Sequence, residues 1–324
     1  MNGKRLRVAV IGLGGIGSVH ISVICEGENE LVAICDIDKN KLNIYPDIKG
    51  YTDYKEMLDT EKLDVVHICT PHYLHAEMVI YALEHNISVL CEKPVCMKIE
   101  EIERVLEAEK RSMAQLGVCF QNRYNPSYIY AKNFLQGKKI EYAYAHVFWH
   151  RGKDYYPKDN WHGKKATEGG GVLINQAIHT LDALQWICGY PKSLLAITEN
   201  ISLKGLIEVE DTATVICKGD NDFILSATNS AFSDYPVEVV IGTSDEEIRF
   251  EQNYIYVNGE RLGFENTAPL YSKKVYGTGH SALINDFYDC VRQGRKFEID
   301  GTEAAKALKL VLAAYESCGR EIKL

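Results

Sequence analysis

The sequence predicts an α/β fold, with an N-terminal Rossmann doubly wound parallel sheet and a C-terminal α+β domain that carries an open antiparallel sheet. Two observations favour the first part: apolar strands alternate with helices up to residue 121, and a glycine-rich turn joins the first strand to the first helix. A third favours the second part, because strands follow one another without helices from residue 141 onward. We therefore predict a first domain over 1–121 and a second over 122–324.

The predicted first domain consists of short apolar runs separated by amphipathic helices. Its predicted strands are Arg5–Ile11, Glu30–Cys35, Val65–Cys69, Ser88–Cys91 and Leu116–Phe120. Its predicted helices run from Ser18 to about Glu26, over His75–His85 and from Ile99 to about Arg111, and Tyr51–Leu58 is interpreted as a short amphipathic element. Strands that alternate with helices pair in parallel, which gives a doubly wound sheet.

The predicted second domain is dominated by strands. They are expected at Glu141–His150, Leu194–Ile201, Thr212–Lys218, Phe223–Thr228, Val237–Ile241, Glu247–Glu251, Tyr254–Val257 and Arg261–Phe264. Asn258-Gly259 between the last two is a strong signal for a type I′ hairpin. Helices are expected at Tyr128–Leu135, Ser281–Arg292 and Thr302–Cys318. Without a low-complexity linker, the domains should pack together, and a cleft between them is the expected ligand site.

Composition and charge exclude several classes of protein. The chain has 324 residues, of which 46% are hydrophobic and 25% charged, as in ordinary globular proteins. Its net charge of -9, without a basic block, is not that of a protein that binds nucleic acid or an anionic membrane. Its apolar runs fall short of the roughly 18 residues that span a bilayer. We predict a cytoplasmic protein.

The ten cysteines are scattered singly along the chain and lack the paired spacing of zinc sites and disulfide frameworks. Reduced, buried thiols are the expected state. Cys69, His72 and His75 form the best metal-ligand candidate, at the end of one strand and in the turn after it. Single histidines and cysteines near strand ends are more often structural, so we predict no metal site.

The glycine-rich turn Gly12–Gly17 indicates a dinucleotide site. Gly12 permits a tight turn, Gly14 lets the backbone approach a pyrophosphate, and Gly17 lets the helix pack closely on the strand. The next strand ends in Asp36, about 20 residues past the glycines, where an acid that binds the ribose is expected.

Asp36 also favours one cofactor over another. A carboxylate that accepts the ribose hydroxyls would repel the 2′-phosphate of NADP, so we expect NAD. Lys39 and Lys41 lie nearby in sequence and could weaken this preference.

The segment Glu92-Lys93-Pro94 follows the strand Ser88–Cys91 and brings a lysine to the cofactor crevice. Pro94 restrains Lys93 toward an extended backbone. Partial burial and the positive ring of an oxidised nicotinamide would both lower the pKa of Lys93, so we expect it to hold its proton more tightly when the cofactor is reduced. Glu92 is expected to position this lysine.

A second candidate site follows the glycine run Gly169–Gly171. The glycines would give the backbone room to approach a ligand before a helix begins, and the i,i+4 spacing places Asn175 and His179 on one helical face. Asp182 either orients the ring of His179 or is a solvated helix residue. A single histidine in such apolar surroundings is commonly a core residue, so this segment alone does not establish catalysis.

These segments together resemble one family. The Gly12–Gly17 turn with Asp36, Thr70-Pro71 with His75, Glu92-Lys93-Pro94, and the Gly169–His179 segment ending in Asp182 resemble the Gfo/Idh/MocA oxidoreductases, the relatives of glucose-fructose oxidoreductase and inositol dehydrogenase. The resemblance covers nearly the whole chain. It implies NAD(H) or NADP(H), substrates that are sugars, polyols or their derivatives, and homodimers or homotetramers packed through the C-terminal sheets.

The resemblance also implies roles for individual residues. Lys93 and His179 would form the catalytic pair, converging on the C4 edge of the nicotinamide, with His179 as the proton acceptor in oxidation. Many members carry aspartate where this chain has Asn175, which can orient a hydroxyl but cannot carry charge. The implied cofactor contacts come from Gly12, Gly14, Gly15, Ile16, Asp36, Thr70, Pro71, His75, Glu92 and Lys93.

Substrate contacts are predicted more loosely. Asn122 and Arg123 follow the last strand of the parallel sheet, and Arg123 could fork onto a hydroxyl pair or a carboxylate. Trp161 offers an aromatic face for a sugar ring, alongside Lys93, Asn175 and His179. Lys164 and His280 are further candidates whose roles stay open.

Three functions compete. The leading one is an NAD-dependent sugar or polyol dehydrogenase, or a reductase that runs the reverse reaction. The second resembles the NAD-dependent glycosidases, in which transient oxidation of a sugar permits elimination of the aglycone and the cofactor is regenerated. The third is a catalytically silent NAD-binding regulator, against which the presence of both Lys93 and His179 argues.

Overall fold

The computed structural model describes residues 5–157, 161–251, 254–263 and 278–324. They form two compact units. The first contains the residues up to Phe120 together with His280–Ala305, and the second contains 121–263 and Lys306–Leu324. The units are therefore not contiguous in sequence, and the division at residue 121 stays a prediction about domains.

The described part of the first unit contains a six-stranded parallel sheet with strand order β3-β2-β1-β4-β5-β6. This is the order of the dinucleotide-binding Rossmann fold. The strands β4 and β5 are buried on both faces, as expected for a parallel sheet covered by helices. The strands are β1 (Arg7–Ile11), β2 (Glu30–Cys35), β3 (Lys49–Tyr51), β4 (Val65–Ile68), β5 (Ser88–Cys91) and β6 (Leu116–Val118).

Helices connect these strands along the chain, as the alternating pattern predicts. They are α1 (Gly15–Glu26), α2 (Lys39–Leu42), α3 (Tyr54–Thr60), α4 (His72–Glu84) and α5 (Ile99–Arg111). The interpretation of Tyr51–Leu58 as one amphipathic element is wrong, because the chain there forms the edge strand β3 and then α3. A three-residue edge strand with two exposed residues, one of them a glycine, leaves almost no apolar pattern in the sequence.

The described part of the second unit contains a nine-stranded sheet with the order β14-β13-β12-β11-β7-β10-β9-β8-β15. Its strands are β7 (Tyr142–Phe148), β8 (Ser193–Glu199), β9 (Thr212–Lys218), β10 (Phe223–Thr228), β11 (Glu238–Gly242), β12 (Glu247–Phe250), β13 (Ile255–Val257), β14 (Glu260–Leu262) and β15 (Ile322–Lys323). Phe264, the end of one predicted strand, lies outside the described residues.

The sheet is mostly antiparallel, as predicted, but β7 and β10 pair in parallel, with Ile224 opposite Tyr144. The predicted antiparallel sheet domain is therefore confirmed, with one parallel pair that the sequence did not predict. The hairpin at Asn258-Gly259 is confirmed, since both residues have the positive φ angles, 51° and 82°, that a type I′ turn requires.

The remaining helices are α6 (Pro126–Phe134), α7 (Lys165–Glu168), α8 (Ile178–Cys188), α9 (Gly279–Gln293) and α10 (Gly301–Ser317), with a 3₁₀ turn at Gln121–Tyr124 and a π-helical turn at Leu173–Ala177. Helix α8 packs against β7 and β10 and is buried on nearly all sides. Among the described residues, no helix has both the length and the apolar character needed to cross a bilayer.

Candidate active site

The glycine turn between β1 and α1 has the geometry of a pyrophosphate site. Gly12 has a φ of +92°, and a Cβ there would lie 2.6 Å from the carbonyl oxygen of Cys69. A Cβ on Gly17 would lie 2.0 Å from the carbonyl oxygen of Gly12, so only glycine allows the helix to approach the strand this closely. Cβ atoms on Gly14 or Gly15 would meet no described residue within 4 Å, which leaves space for a ligand at the N-terminus of the helix.

Asp36 lies at the end of β2 and is held from three sides. Its Oδ2 accepts hydrogen bonds from the backbone N–H of Leu13 at 2.8 Å and from Nζ of Lys41 at 3.1 Å, and its Oδ1 accepts one from the N–H of Asp38 at 2.9 Å. Burial by itself raises the pKa of Asp36, but these donors outweigh it, so the pKa lies below its ordinary value. Asp36 is therefore an ionised acceptor joined directly to the glycine turn through Leu13.

The Glu92-Lys93-Pro94 segment begins where β5 ends. Lys93 is half-buried, and its backbone N–H donates to Oε2 of Glu92 at 3.3 Å. Strand β5 pairs with β4, which pairs with β1, so the residues that follow these three strands belong to one edge of the sheet. Thr70 and Pro71, after β4, are also half-buried at this edge.

His75 contacts backbone carbonyl groups through both of its ring nitrogens. Its ring lies 2.7 Å from two carbonyl oxygens, Nε2 from that of Thr70 and Nδ1 from that of Pro94, and the residue is fully buried. Burial lowers the pKa of His75, and the two carbonyl contacts offset this only in part. The ring of His75 thus ties the turn after β4 to the segment after β5, and its contact with a cofactor stays a prediction.

A buried chain of polar side chains in the first unit was not predicted from the sequence. Nε2 of His20 lies 3.2 Å from Oε1 of Glu92, Nδ1 of His20 lies 2.8 Å from Nδ1 of His67, and Nε2 of His67 lies 2.9 Å from the hydroxyl of Tyr288. Nε2 of His280 lies 3.7 Å from the same Glu92 oxygen. These residues lie far apart in the sequence, so the sequence pattern gives no sign that they are in contact.

The charge of Glu92 determines where the protons lie in this series of hydrogen bonds. Burial raises the pKa of Glu92, but hydrogen bonds from His20 and His280 outweigh it and bring the pKa well below its usual range. Burial lowers the pKa of His20 and, further, that of His67. An ionised Glu92 only accepts, so neutral His20 donates from Nε2, His67 donates from Nδ1 to His20, and Tyr288 donates to Nε2 of His67. With Glu92 charged, the contacts from Glu92 through His20 and His67 to Tyr288 are all satisfied, whereas the buried Nδ1 of His280 has no hydrogen-bond partner among the described residues.

The metal candidate Cys69, His72 and His75 is not supported, since both ring nitrogens of His75 are engaged by carbonyl oxygens. Within the described ranges, the donor atoms compact enough to hold a metal ion are those of His20, Glu92 and Cys119. Burial raises the pKa of Cys119 well above its usual value, which favours the thiol over the metal-binding thiolate. All ten cysteines are free.

In the second unit, Asn175 and His179 lie on consecutive turns that lead from the π-helical turn into α8. Their exposures are 9% and 8%. The prediction assumed a regular α-helix, whereas the wider π turn at Leu173–Ala177 changes the angle between residues four apart. Such turns are frequent at functional sites, and the sequence pattern gives no sign of this one.

The glycine run before this helix packs against the protein itself. A Cβ on Gly170 would lie 2.0 Å from the hydroxyl oxygen of Tyr315, and one on Gly171 would lie 1.8 Å from the carbonyl oxygen of Glu210. The expectation that these glycines make room for a ligand is corrected at both positions. They are required by the close packing that fixes where the helix begins.

Glu210 closes this packing and caps the helix. Its Oε2 accepts from the N–H of Gly171 at 2.8 Å, and its Oε1 accepts from the N–H of Leu173 at 3.0 Å and from the hydroxyl of Tyr315 at 2.9 Å. Burial is the largest influence on its pKa and raises it to about 7, against the lowering effect of these donors. The helix that carries Asn175 and His179 therefore starts on a buried carboxyl that titrates near neutral pH.

Arg123 is buried, and its guanidinium donates to both carboxylate oxygens of Asp182, at 2.7 Å from Nε and 2.6 Å from Nη2. Asp182 thus occupies the Nε and Nη2 donors of Arg123, and a substrate contact of Arg123 stays a prediction. The interpretation of Asp182 as a solvated helix residue is wrong, since its exposure is 0%. The pair ties the 3₁₀ turn to α8, and Asn122 beside it is 4% exposed.

The other predicted substrate residues lie in less buried surroundings. Trp161 and Lys164 are half-buried, and the ring centroid of Trp161 lies 3.8 Å from that of His162. His280, at 5% exposure, belongs to the first unit and faces Glu92. Lys93 belongs to the first unit and His179 to the second, so their catalytic pairing stays a prediction.

The fold and the glycine turn together define a dinucleotide-binding protein with a Rossmann domain. The sequence profile described as "Oxidoreductase family, NAD-binding Rossmann fold" matches residues 6–120, and that of the "GFO/IDH/MocA C-terminal domain" matches residues 138–261. The chain belongs to the Gfo/Idh/MocA oxidoreductase family, as the resemblance predicts.

Three relatives illustrate the match. The "Uncharacterized oxidoreductase YrbE" of Bacillus subtilis is 26% identical over 97% of this chain and 94% of its own. The structure of the WlbA dehydrogenase from Bordetella pertussis, in complex with NADH and UDP-GlcNAcA, has a TM-score of 0.89 at 27% identity and covers 100% of this chain and 99% of that one. Myo-inositol 2-dehydrogenase from Lactobacillus plantarum has a TM-score of 0.83 at 26% identity, over 99% and 100%.

Proposed function

We propose that this protein is an NAD(H)-dependent dehydrogenase or reductase that transfers a hydride between nicotinamide and a hydroxyl or carbonyl carbon of a sugar, polyol or sugar derivative. The observation that carries the proposal is the edge of the parallel sheet, where the open glycine turn after β1 and the Glu92-Lys93 segment after β5 belong to the same set of strand ends. In doubly wound sheets this edge binds the cofactor. A lysine here is suited to handle the proton of a substrate hydroxyl.

Three residues carry the chemistry in this proposal. Lys93 donates to the substrate oxygen and shares its proton, His179 accepts the hydroxyl proton during oxidation, and Asn175 orients the substrate through its amide. Bound NAD⁺ supplies the hydride acceptor at C4 of its nicotinamide ring. Glu92 keeps its charge through His20 and thereby holds the backbone of Lys93 in place.

The proposed cofactor is NAD, with NADP disfavoured. Its pyrophosphate would lie on Gly12, Gly14, Gly15 and Ile16, and its adenosine ribose on Asp36. The ionised state of Asp36 supports this, because a 2′-phosphate would face a carboxylate. Lys41 partly neutralises that carboxylate, so we expect the preference for NAD to be moderate. Thr70, Pro71, Glu92 and Lys93 would line the nicotinamide side.

Only the chemical class of the proposed substrate is taken from the relatives. The solved relatives include a complex with UDP-GlcNAcA, which contains a sugar ring, and a dehydrogenase named for myo-inositol, which is a polyhydroxylated ring. We propose that this chain takes a ring of the same class, with Trp161 stacking on it and Asn122 at the edge of the site. The reaction is proposed to occur in the cytoplasm.

We also propose that the protein forms a homodimer or homotetramer through the second sheet. Side chains on the outer face of this sheet lie in register across four strands: Tyr144 on β7 is opposite Ile224 on β10, which is opposite Ile216 on β9, which is opposite Leu195 on β8. Tyr144 and Ile224 are 46% and 42% exposed. An apolar band of this kind favours a face-to-face contact with a second copy.

A spectrophotometric screen tests the proposed activity. Myo-inositol, D-glucosides, UDP-GlcNAcA and free aldoses are incubated with the protein and NAD or NADP in parallel. Accumulating NADH with at least one of these compounds is the expected result. Release of free sugar from a glycoside at constant NADH would instead assign the glycosidase reaction, and binding of NADH without turnover of any compound would favour a regulator.

A further inference from the structure

A buried carboxylate, Glu168, lies next to Asn175 and was not singled out by the sequence. It is 1% exposed and accepts hydrogen bonds from the backbone N–H of Gly163 and from Nδ2 of Asn175. Nδ1 of His162 lies 3.2 Å from Oε1, the same oxygen that accepts from Asn175. Within the short segment 162–168, both His162 and Gly163 therefore contact the carboxylate of Glu168.

The hydrogen bonds determine which nitrogen of His162 carries a proton. An ionised Glu168 only accepts, so its contact with His162 requires a proton on Nδ1. The two amide hydrogens of Asn175 are used by Glu168 and by the hydroxyl oxygen of Tyr155 at 3.2 Å. Asn175 therefore does not compete for Nδ1 of His162, although the two nitrogens lie 3.3 Å apart. The neutral ring of His162 then has its lone pair on Nε2.

The ring of His162 is also fixed in orientation. Its centroid lies 3.8 Å from that of Trp161 and 4.6 Å from that of Tyr155, with interplanar angles of 33° and 32°. Its side chain is 16% exposed, and in the described part of the chain Nε2 has no hydrogen-bond partner. A ring held by stacking and by one carboxylate is preorganised to accept a hydrogen bond at Nε2.

We propose that Glu168 and His162 form a carboxylate–imidazole dyad in which His162 Nε2 accepts a hydrogen bond from a hydroxyl of the substrate. Glu168 is a positioning residue, because it acts through His162 and Asn175, and His162 is a substrate-orienting residue. The inference rests on the proposed function, since it assigns a hydroxyl-binding group for the same polyhydroxylated substrate. In this proposal Glu168 supplies a negative charge next to Asn175, which as an amide has none of its own.

Nitrogen-15 NMR of the histidine rings tests the dyad without any substrate. The signal of His162 is identified as the one that is lost in His162→Phe, a variant that keeps an aromatic ring for stacking. We expect the wild-type ring to be protonated on Nδ1, and Glu168→Ala to shift it toward the Nε2 form, whereas Glu208→Ala, which changes an exposed carboxylate, leaves it unchanged. A wild-type ring protonated on Nε2 overturns the dyad, whether or not Glu168→Ala folds.

Binding of a polyol tests the second half of the proposal. Myo-inositol, or the best compound of the screen, is titrated into the NADH-loaded protein. His162→Phe is expected to weaken its binding about tenfold, the value of one hydrogen bond, and to leave the affinity for NADH unchanged. Equal binding by wild type and His162→Phe overturns the role of Nε2. If the wild type binds no polyol, the proposed function fails, and the NMR result still decides the dyad.

Discussion

Burial decides what individual side chains can do, and it is the property that the sequence predicts least well. His75, Arg123 and Asp182 were singled out for their chemistry, yet the structure engages all three with the protein itself. Asp36 and Lys93 were predicted from their position after a strand, and both lie at the strand ends as expected. A short stretch of sequence is enough to predict a strand and the residue that follows it. It does not predict a partner 59 residues away, as in the pair of Arg123 and Asp182.

Removal of the charge on Asp36 tests the choice of cofactor. In Asp36→Asn, the group that repels a 2′-phosphate is lost while Lys41 remains, so the ratio of kcat/KM for NADP to that for NAD is expected to rise at least tenfold. Steady-state kinetics with both cofactors measure this ratio. Asp38→Asn is the matched control, because Asp38 caps helix α2 next to the same site. An unchanged ratio in Asp36→Asn would show that this carboxylate does not select the cofactor.

Glu210 gives the stability of the protein a specific pH dependence. Its folded-state pKa of about 7 lies above the ordinary value of 4.5, so between these values the folded state binds more protons than the unfolded state. Stability must therefore fall as the pH rises from about 4.5 to 7, by at most about 3 kcal/mol. In Glu210→Gln this contribution is absent.

Thermal unfolding of both proteins across this pH range measures the effect. The Tm of the wild type is expected to decline with pH relative to that of Glu210→Gln, and Glu208→Gln should follow the wild type. Parallel curves for wild type and Glu210→Gln would contradict the titration of Glu210 near neutral pH.

At the scale of elements, hydrophobic periodicity predicted most strands and helices but not how they join. The turn at Asn258-Gly259 was predictable because its two residues are the ones that tolerate positive φ. The π turn before α8 was not predictable from periodicity, and neither was the contact at the start of this helix between Gly171 and Glu210, which are 39 residues apart. The parallel pairing of β7 and β10 likewise depends on contacts across the sheet.

The outer face of the second sheet carries a prediction about assembly. A charge at Ile224, in the centre of the apolar band, would be buried against its symmetry mate in a face-to-face dimer. Ile224→Arg is therefore expected to reduce the molar mass measured by light scattering to that of the monomer. Phe232→Arg is the control, because Phe232 is 95% exposed and lies outside the strands. An unchanged mass for Ile224→Arg would place the interface elsewhere.

At the scale of the whole molecule, the proposed chemistry is divided between two units of one chain. The first provides the glycine turn, Asp36 and the Glu92-Lys93 segment, and the second provides Asn175 and His179 on a helix whose start is fixed by Glu210. The sequence predicts this division, because each half has its own pattern of strands and helices. The return of His280–Ala305 to the first unit has no signal in composition, since the chain there continues as ordinary amphipathic helices.

The most direct test of the central claim is the transfer of deuterium to the cofactor. The substrate found in the screen is labelled with deuterium at the carbon to be oxidised and incubated with NAD⁺ and either the wild type or Lys93→Met. We predict that the wild type places deuterium on C4 of the nicotinamide, and that Lys93→Met, at saturating NAD⁺, transfers the label at least about a hundredfold more slowly. Loss of the label to water, or equal rates for the two proteins, would contradict the account.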